Sequence, residues 1–242
     1  MNKLTPKEES IVKKYNENFS DQTDFMNDGF CYLTKDGLPN ISKLNENDLF
    51  QFNKNLYKFS LDVSGGIPDS LLEVGCGKGG GLRYLEDLKI SKLYGVDINE
   101  KHINHCKKHL SRATVKLARA TNLPFEDNQF EVVLSIESVG YYDSLNSFIE
   151  ESYRVLRKTG RLIISFLHNE MTPFSLENII KSFTRVGFIN VEVLDLTKSV
   201  RIGIALQKGV IENVDSTTLN ALINDEKYLL KGHRYYCLHF RK

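Results

Sequence analysis

From residue 70 onward, apolar positions fall into short runs whose period switches between two and about 3.6, which predicts strands alternating with helices. Ser70 to Gly75 is a short apolar strand running into the glycine-rich GCGKGGG. From Gly79 to Leu88, the apolar Leu82, Leu85 and Leu88 recur at every third position, as on one helix face. Lys92 to Ile98 predicts a second strand, Glu100 to Leu110 a helix with Ile103 and Cys106 on one face, and Thr114 to Arg119 a third strand. The unbroken run Phe130–Ile136 (FEVVLSI) has the character of a strand covered on both faces. A helix is then predicted over Ser144 to Leu156, stopping at the Lys158-Thr159-Gly160 turn, followed by a fifth strand over Arg161 to Leu167. Ser175 to Val186 predicts a helix stopped by Gly187, Phe188 to Leu196 a sixth strand, and the alternating Arg234–Phe240 (RYYCLHF) a seventh.

Such alternation implies an α/β fold of parallel strands joined by right-handed crossovers. The interval 197–232 reads as a helical insertion with apolar stretches VRIGIAL and TTLNALIND, and the first 69 residues as polar sequence with one helix, Leu49 to Val63, ahead of the linker Gly65-Gly66-Ile67-Pro68. At 242 residues there is room for one domain of this kind. Its expected parts are a lid over 1–69, a core over 70–196, an insertion over 197–232 and a last strand over 233–242.

Composition changes this picture little and charge narrows it. The 32 basic and 31 acidic residues nearly cancel, which argues against the positive field of a nucleic-acid binder. The polar start is unlike a signal peptide, and no run of eighteen apolar residues occurs, so the expectation is a cytoplasmic protein without a membrane span. Cys31, Cys76, Cys106 and Cys237 stand singly and read as reduced, packed thiols. His102, His105 and His109 share a helix at metal-like spacing but have no matching acid or cysteine; the expectation is a solvated helix face and no metal site.

Chemistry concentrates at Leu71–Gly81 (LLEVGCGKGGG), where glycines at a strand-to-helix turn let a ligand approach backbone closely. Asp97, closing the second strand, can accept hydrogen bonds from both hydroxyls of a ribose. These two features suit a dinucleotide as well as an adenosyl cofactor. Glu73 inside the motif, the motif's place seventy residues into the chain, and the segment NLPF before FEVVLS favour the second.

Together LLEVGCGKGGG, LYGVDIN, NLPFEDNQFEVVLSIES and ESYRVLRKTGRLIIS resemble the motifs of class I S-adenosylmethionine-dependent methyltransferases. GCGKGGGLRYL, IESVGYYDS and FMNDGF resemble more narrowly the phthiotriolone dimycocerosate methyltransferase family and related lipid or polyketide O-methyltransferases. The resemblance implies a Rossmann-like, seven-stranded, mostly parallel sheet with an antiparallel last strand, and S-adenosyl-L-methionine as cofactor. Glu73, Gly75, Cys76, Gly77 and Gly79 would cradle its methionine part, Asp97 the ribose and Ile98 the adenine. Ala120, Thr121 and Asn122 would border the adenine edge, Ile136 and Glu137 the far side, and Asn27 would belong to a lid. Two positions depart from the family pattern. Arg119 stands where an Asp is common, and Gly140 where a histidine is common.

Ligands of doubly wound sheets bind beyond the carboxyl ends of the strands, which selects Tyr141, Tyr142 and His168 as acceptor-facing, with His168 the candidate base. The expected reaction is methyl transfer to a small or lipid-like acceptor by in-line displacement, preferably at oxygen. N-methylation, a non-catalytic cofactor-binding partner and an NAD-dependent oxidoreductase are the alternatives. The sequence does not specify an oligomeric state.

Overall fold

The computed structural model describes residues 3–17, 25–40, 48, 50–168, 175–207 and 233–242. Within these, the elements in chain order are α1 (Pro6–Glu17), α2 (Gln51–Val63), β1 (Ser70–Val74), α3 (Gly80–Asp87), β2 (Lys92–Asp97), α4 (Glu100–His109), β3 (Thr114–Leu117), β4 (Phe130–Ile136), α5 (Leu145–Val155), β5 (Leu156–His168), α6 (Leu176–Val186), β6 (Ile189–Asp195), α7 (Thr197–Gln207) and β7 (Arg234–Arg241).

The strands form one sheet in the order β3-β2-β1-β4-β5-β7-β6. β1 lies between β2 and β4, parallel to both, with Leu72 opposite Tyr94 on one side and Val133 on the other. β7 runs antiparallel between β5 and β6. This is the expected seven-stranded sheet with its reversed last strand. Its order changes direction between β1 and β4, which leaves a crevice beyond the carboxyl ends of those strands.

Side-chain alternation distributes the strands between two cores. Leu71, Val132 and Leu134 pack with Leu56 and Tyr57 of α2, Leu82 and Leu85 of α3, Ile103 of α4 and Val200 of α7. Leu72 and Val133 face the other way, onto Phe148 and Ile149 of α5 and Phe183 of α6. Both Leu71 and Leu72 are fully buried, each contributing roughly 1.5 to 3 kcal/mol of transfer free energy.

Several elements differ from expectation for local reasons. α5 ends at Val155, and the Lys158-Thr159-Gly160 segment lies inside β5 as an irregularity instead of stopping a helix. Pairing with β4 jumps from Leu156 to Arg161 while the partner advances only from Phe130 to Val132. Thr159 takes φ 69° at the bend, and the bulge is tied to the C-terminus by Lys242 N–H donating to Gly160 O at 3.0 Å.

The stretch VRIGIAL is α7, and Val200, Ile202, Ile204 and Ala205 are buried against the protein body. TTLNALIND lies outside the described residues. Leu49 is also outside them, and α2 begins at Gln51. His102 and His105 of α4 are buried, not solvated. The four cysteines are buried, as expected.

α1 is an addition that the hydrophobic pattern did not reveal. Thr5 and Glu8 form a reciprocal cap at its start: Thr5 N–H donates to Glu8 Oε2 at 2.8 Å and Glu8 N–H to Thr5 Oγ1 at 3.2 Å. Pro6 occupies the first helical position, where no amide is needed.

Candidate active site

The glycine turn is built by hydrogen bonds back to β2. Gly75 N–H and Cys76 N–H both donate to Val96 O, at 2.8 and 2.9 Å, and Gly77 N–H donates to Asp97 Oδ2 at 2.9 Å. Gly75, Gly77 and Gly79 have φ of 76°, 52° and 81°, a left-handed run that side-chain-bearing residues rarely adopt. Asp97 Oδ1 accepts from Asn99 N–H at 2.8 Å and lies 3.4 Å from His102 Nδ1. Its carboxylate is therefore held rigidly, yet two oxygens with about four lone-pair sites leave it able to accept more.

Around this turn opens a crevice of about 1040 Å³ counted out to its mouth. The expected Asn27, Gly75, Cys76, Gly77, Asp97, Ile98, Ala120, Thr121, Ile136 and Glu137 line it, as do Tyr141 and Tyr142. Three expected residues stand behind the wall. Gly79 faces α4, where a Cβ would come within 2.8 Å of Cys106 Sγ. Asn122 closes a tight turn, its N–H donating to Arg119 O at 3.2 Å. Glu73 is buried beneath Tyr57, whose hydroxyl donates to Glu73 Oε1 at 2.6 Å, while Oε2 is buried without a hydrogen-bond partner.

His168 is placed elsewhere. It ends β5 in a second cavity, with Phe166, Ile179, Leu145, Asn178 and Ser182. Gly140 lines that cavity too, and a Cβ there would touch nothing within 4 Å. Tyr142 and Asp143 border both cavities. The Tyr142 hydroxyl points back toward the sheet, 2.9 Å from Ser135 Oγ, 2.8 Å from Ser138 Oγ and 3.0 Å from Val74 O, which makes this side chain a wall.

Residues that sequence reasoning missed come mainly from α1: Glu8, Ile11, Val12 and Tyr15 line the crevice. Arg119 explains how they are held. Its Nε donates to Glu8 Oε1 at 2.6 Å and its Nη2 to Glu8 Oε2 at 2.9 Å. Burial alone would raise the Glu8 pKa, but the bonds from Arg119 and Thr5 outweigh it and hold this carboxyl below its ordinary range. Thr5 Oγ1 donates to Asp143 at 2.7 Å, Lys7 Nζ to Tyr142 O at 2.6 Å, and Asn99 Nδ2 to Asn16 Oδ1 at 3.1 Å, so α1 is fastened to both banks. Tyr15 meets His102 and Tyr141 edge-on, with ring centroids 5.9 and 5.8 Å apart.

The crevice is acidic. Among the described residues its lining carries the carboxylates of Glu8, Asp97 and Asp143 against the guanidinium of Arg119, with Glu137 as a further carboxyl. Burial pushes the carboxyls of Glu73 and Glu137 up to about 8, reinforced by the charge of Asp97 on the first and of Asp28 on the second. Such a lining attracts a cation and repels phosphate. In addition, the amides of Gly75, Cys76 and Gly77 already serve β2 and are not left to cradle a pyrophosphate. Among the described residues no cluster of metal-ligating side chains occurs.

An adenosyl cofactor with a sulfonium and an ammonium group fits these observations: a rigid carboxylate at Asp97, a surplus buried acceptor at Glu73 and an acidic wall. Residues 72–164 match the family model described as a methyltransferase domain. With the strand order and the site, the match identifies residues 72–164 as resembling a methyltransferase domain.

Among more particular relatives, the fatty-acid O-methyltransferase of Mycolicibacterium smegmatis is 32% identical over 63% of this chain and 54% of that protein. Phthiotriol/phenolphthiotriol dimycocerosates methyltransferase 1 of Mycobacterium ulcerans is 39% identical over 44% of this chain and 41% of that one. The matched regions thus span about half the length of these curated relatives or less. In three dimensions, the geranyl diphosphate C-methyltransferase of Streptomyces coelicolor superposes with a TM-score of 0.72 at 13% identity, over 99% of each chain, which shows a shared fold.

Proposed function

We propose that this protein transfers the methyl group of S-adenosylmethionine to a hydroxyl-bearing, small or lipid-like acceptor. The observation that carries the reading is the acid-lined crevice at a glycine turn whose amides are committed to β2. It suits a sulfonium cation and not a dinucleotide.

In this reading Asp97 accepts from the ribose hydroxyls and Ile98 packs on adenine beside Ala120 and Thr121. Gly75, Cys76 and Gly77 give the methionine part close access to backbone, with Glu73 as the buried acceptor beneath. The bound cofactor supplies an electrophilic methyl group. The protein's share is positioning, since holding acceptor and methyl carbon about 3 to 3.5 Å apart removes much of the barrier. α1 and Asn27 cover the site and exclude water. Asn27 is suited to this because Asn53 Nδ2 donates to its carbonyl at 2.6 Å, fixing the loop over the crevice.

The lipid-like character of the acceptor is supported by the second cavity, whose wall includes Val139, Leu145, Ile164, Phe166, Leu167 and Ile179. The relatives' names point the same way. No helix among the described residues is long and apolar enough to cross a membrane. Four unpaired, buried cysteines suit a reducing compartment, and we place the protein in the cytosol on that ground.

Calorimetric titration tests the reading: S-adenosylmethionine and S-adenosylhomocysteine are expected to bind and NADH not to bind. Mass spectrometry of a lipid extract incubated with protein and cofactor is expected to show products heavier by one methyl group. Binding of NADH alone would overturn the assignment.

A further inference from the structure

Glu137 combines three features that a plain wall residue does not need. It follows β4 directly with φ 52°, a conformation that costs a non-glycine residue about 1 to 3 kcal/mol and persists only where surroundings enforce it. Enforcement comes from β5, through Glu137 N–H donating to Ser165 O at 2.7 Å. One carboxyl oxygen, Oε1, is anchored by two donors on different segments, Asp28 N–H at 2.8 Å and Tyr235 Oη–H at 2.8 Å. The other, Oε2, takes no hydrogen bond from any described residue, and the side chain lines the crevice.

The other acid-base groups of the crevice have partners of their own: His102 Nδ1 lies 3.4 Å from Asp97 Oδ1, and the Tyr15 and Tyr141 rings meet edge-on. Both Asp97 oxygens accept backbone amides, both Glu8 oxygens accept from Arg119, and the Tyr142 hydroxyl is held at the sheet. Asp143 accepts from Thr5 at the exposed mouth, and His168 stands in the second cavity.

We infer that Glu137 is the general base of the transfer, its Oε2 taking the proton of the acceptor hydroxyl as the methyl group arrives. The inference rests on the methyltransferase reading above. In the step, the acceptor oxygen forms a bond to the methyl carbon, the carbon–sulfur bond breaks with its electron pair going to sulfur, and the hydroxyl proton moves to Glu137. A sulfonium and a carboxylate become a neutral thioether and a neutral carboxylic acid, so this pair carries no net charge before or after the transfer. This balance requires a carboxyl that is ionised beside the cation and protonated once the cation is gone. Burial and the like-charged Asp28 favour the neutral acid at rest. The other titratable groups acting on it, Tyr235 of β7, Tyr57 of α2 and Tyr15 of α1, are neutral phenols. A sulfonium is then the charge that tips it.

The test counts protons on cofactor binding and needs no acceptor. Wild-type protein is titrated calorimetrically at pH 7.5 with S-adenosylmethionine and with S-adenosylhomocysteine, each in phosphate and in Tris. The cationic ligand is expected to release roughly half a proton or more beyond the neutral one. Glu137→Gln should abolish that difference while still binding S-adenosylhomocysteine. Glu137→Asp, which keeps a carboxyl, should retain it, as should Glu73→Gln, which removes the other buried acid. Equal proton counts for the two ligands in wild type, or a difference that survives Glu137→Gln, would overturn the role. Failure of both ligands to bind wild type would instead bring down the cofactor reading itself.

Discussion

A methyl group added at Gly81 would be driven into the Tyr57 ring, the same ring whose hydroxyl reaches Glu73. Gly81 is a helical residue without unusual backbone angles, so its glycine is required by packing, and through Tyr57 that packing positions a buried carboxyl. Gly81→Ala is accordingly expected to destabilise the fold by about 1 to 3 kcal/mol, as overpacking does, measured by urea unfolding. Tyr57→Phe removes the donor to Glu73 and leaves the ring in place. It should cost about 1 to 3 kcal/mol at pH 7 by stranding a buried acceptor and raise the Glu73 pKa further. At Asp97 the expected effect is on affinity. Asp97→Asn keeps an oxygen for the Gly77 amide but surrenders charge-assisted bonds to the ribose, and a loss of about 10- to 100-fold in S-adenosylhomocysteine affinity should appear in calorimetry. Unchanged affinity would remove Asp97 from the site.

α1 is the element that ordinary periodicity obscured, because it rests on the crevice through only a few apolar residues, Ile11, Val12 and Tyr15, on an otherwise charged helix. Its start was nonetheless legible as Thr-Pro-x-Glu, a cap followed by a proline and closed by an acid. Strands β1 and β4 were legible because burial on both faces leaves a mostly apolar run, and the glycine turn because few other sequences permit three left-handed residues. What a linear pattern hides is partnership at a distance. Arg119 looks like the loss of an acid until Glu8 is found 111 positions earlier in the chain, holding it. For the same reason the sequence does not separate His168, which lines the second cavity, from Glu137, which lines the crevice, since only the fold shows which cavity each side chain enters. Because α1 is tied down mainly by that ion pair and by polar links to Asp143, Tyr142 and Asn99, Arg119→Ala should undock it. Cleavage within 6–17 by a nonspecific protease should accelerate by about 10-fold, reflecting the loss of about 1.5 to 3 kcal/mol of charged hydrogen bonding. Bound S-adenosylhomocysteine should dissociate faster in the same variant by stopped-flow measurement.

The whole molecule carries the electrostatic cost of keeping acids inside it, and that cost has a sign that pH reveals. Glu73 and Glu137 titrate near 8 in the folded chain against an ordinary 4.5. Between those values the folded state binds protons that the unfolded state has released, so stability falls as pH rises from about 4.5 to 8 and levels off above. Glu8, Glu86 and Glu151 are shifted the other way. Their contribution is present above about 4.5 and is lost as pH drops through their lowered values. His239, which burial disfavours as a cation, opposes the two raised carboxyls up to about 6.5, but as one group against two with larger displacements. The ligand-free protein should therefore be most stable in mildly acidic solution. Its Tm, followed by calorimetry or circular dichroism, should decline by about 5 °C or more between pH 5.5 and 8. Glu73→Gln and Glu137→Gln should each flatten that decline. S-adenosylmethionine should flatten it in part as well, because its sulfonium stabilises the ionised Glu137 carboxyl where that charge is most costly, whereas S-adenosylhomocysteine, which lacks the sulfonium, should raise Tm by a similar amount at every pH. A Tm that climbs toward pH 8 in the ligand-free protein would mean that these acids are solvated, and with them the crevice that the function depends on.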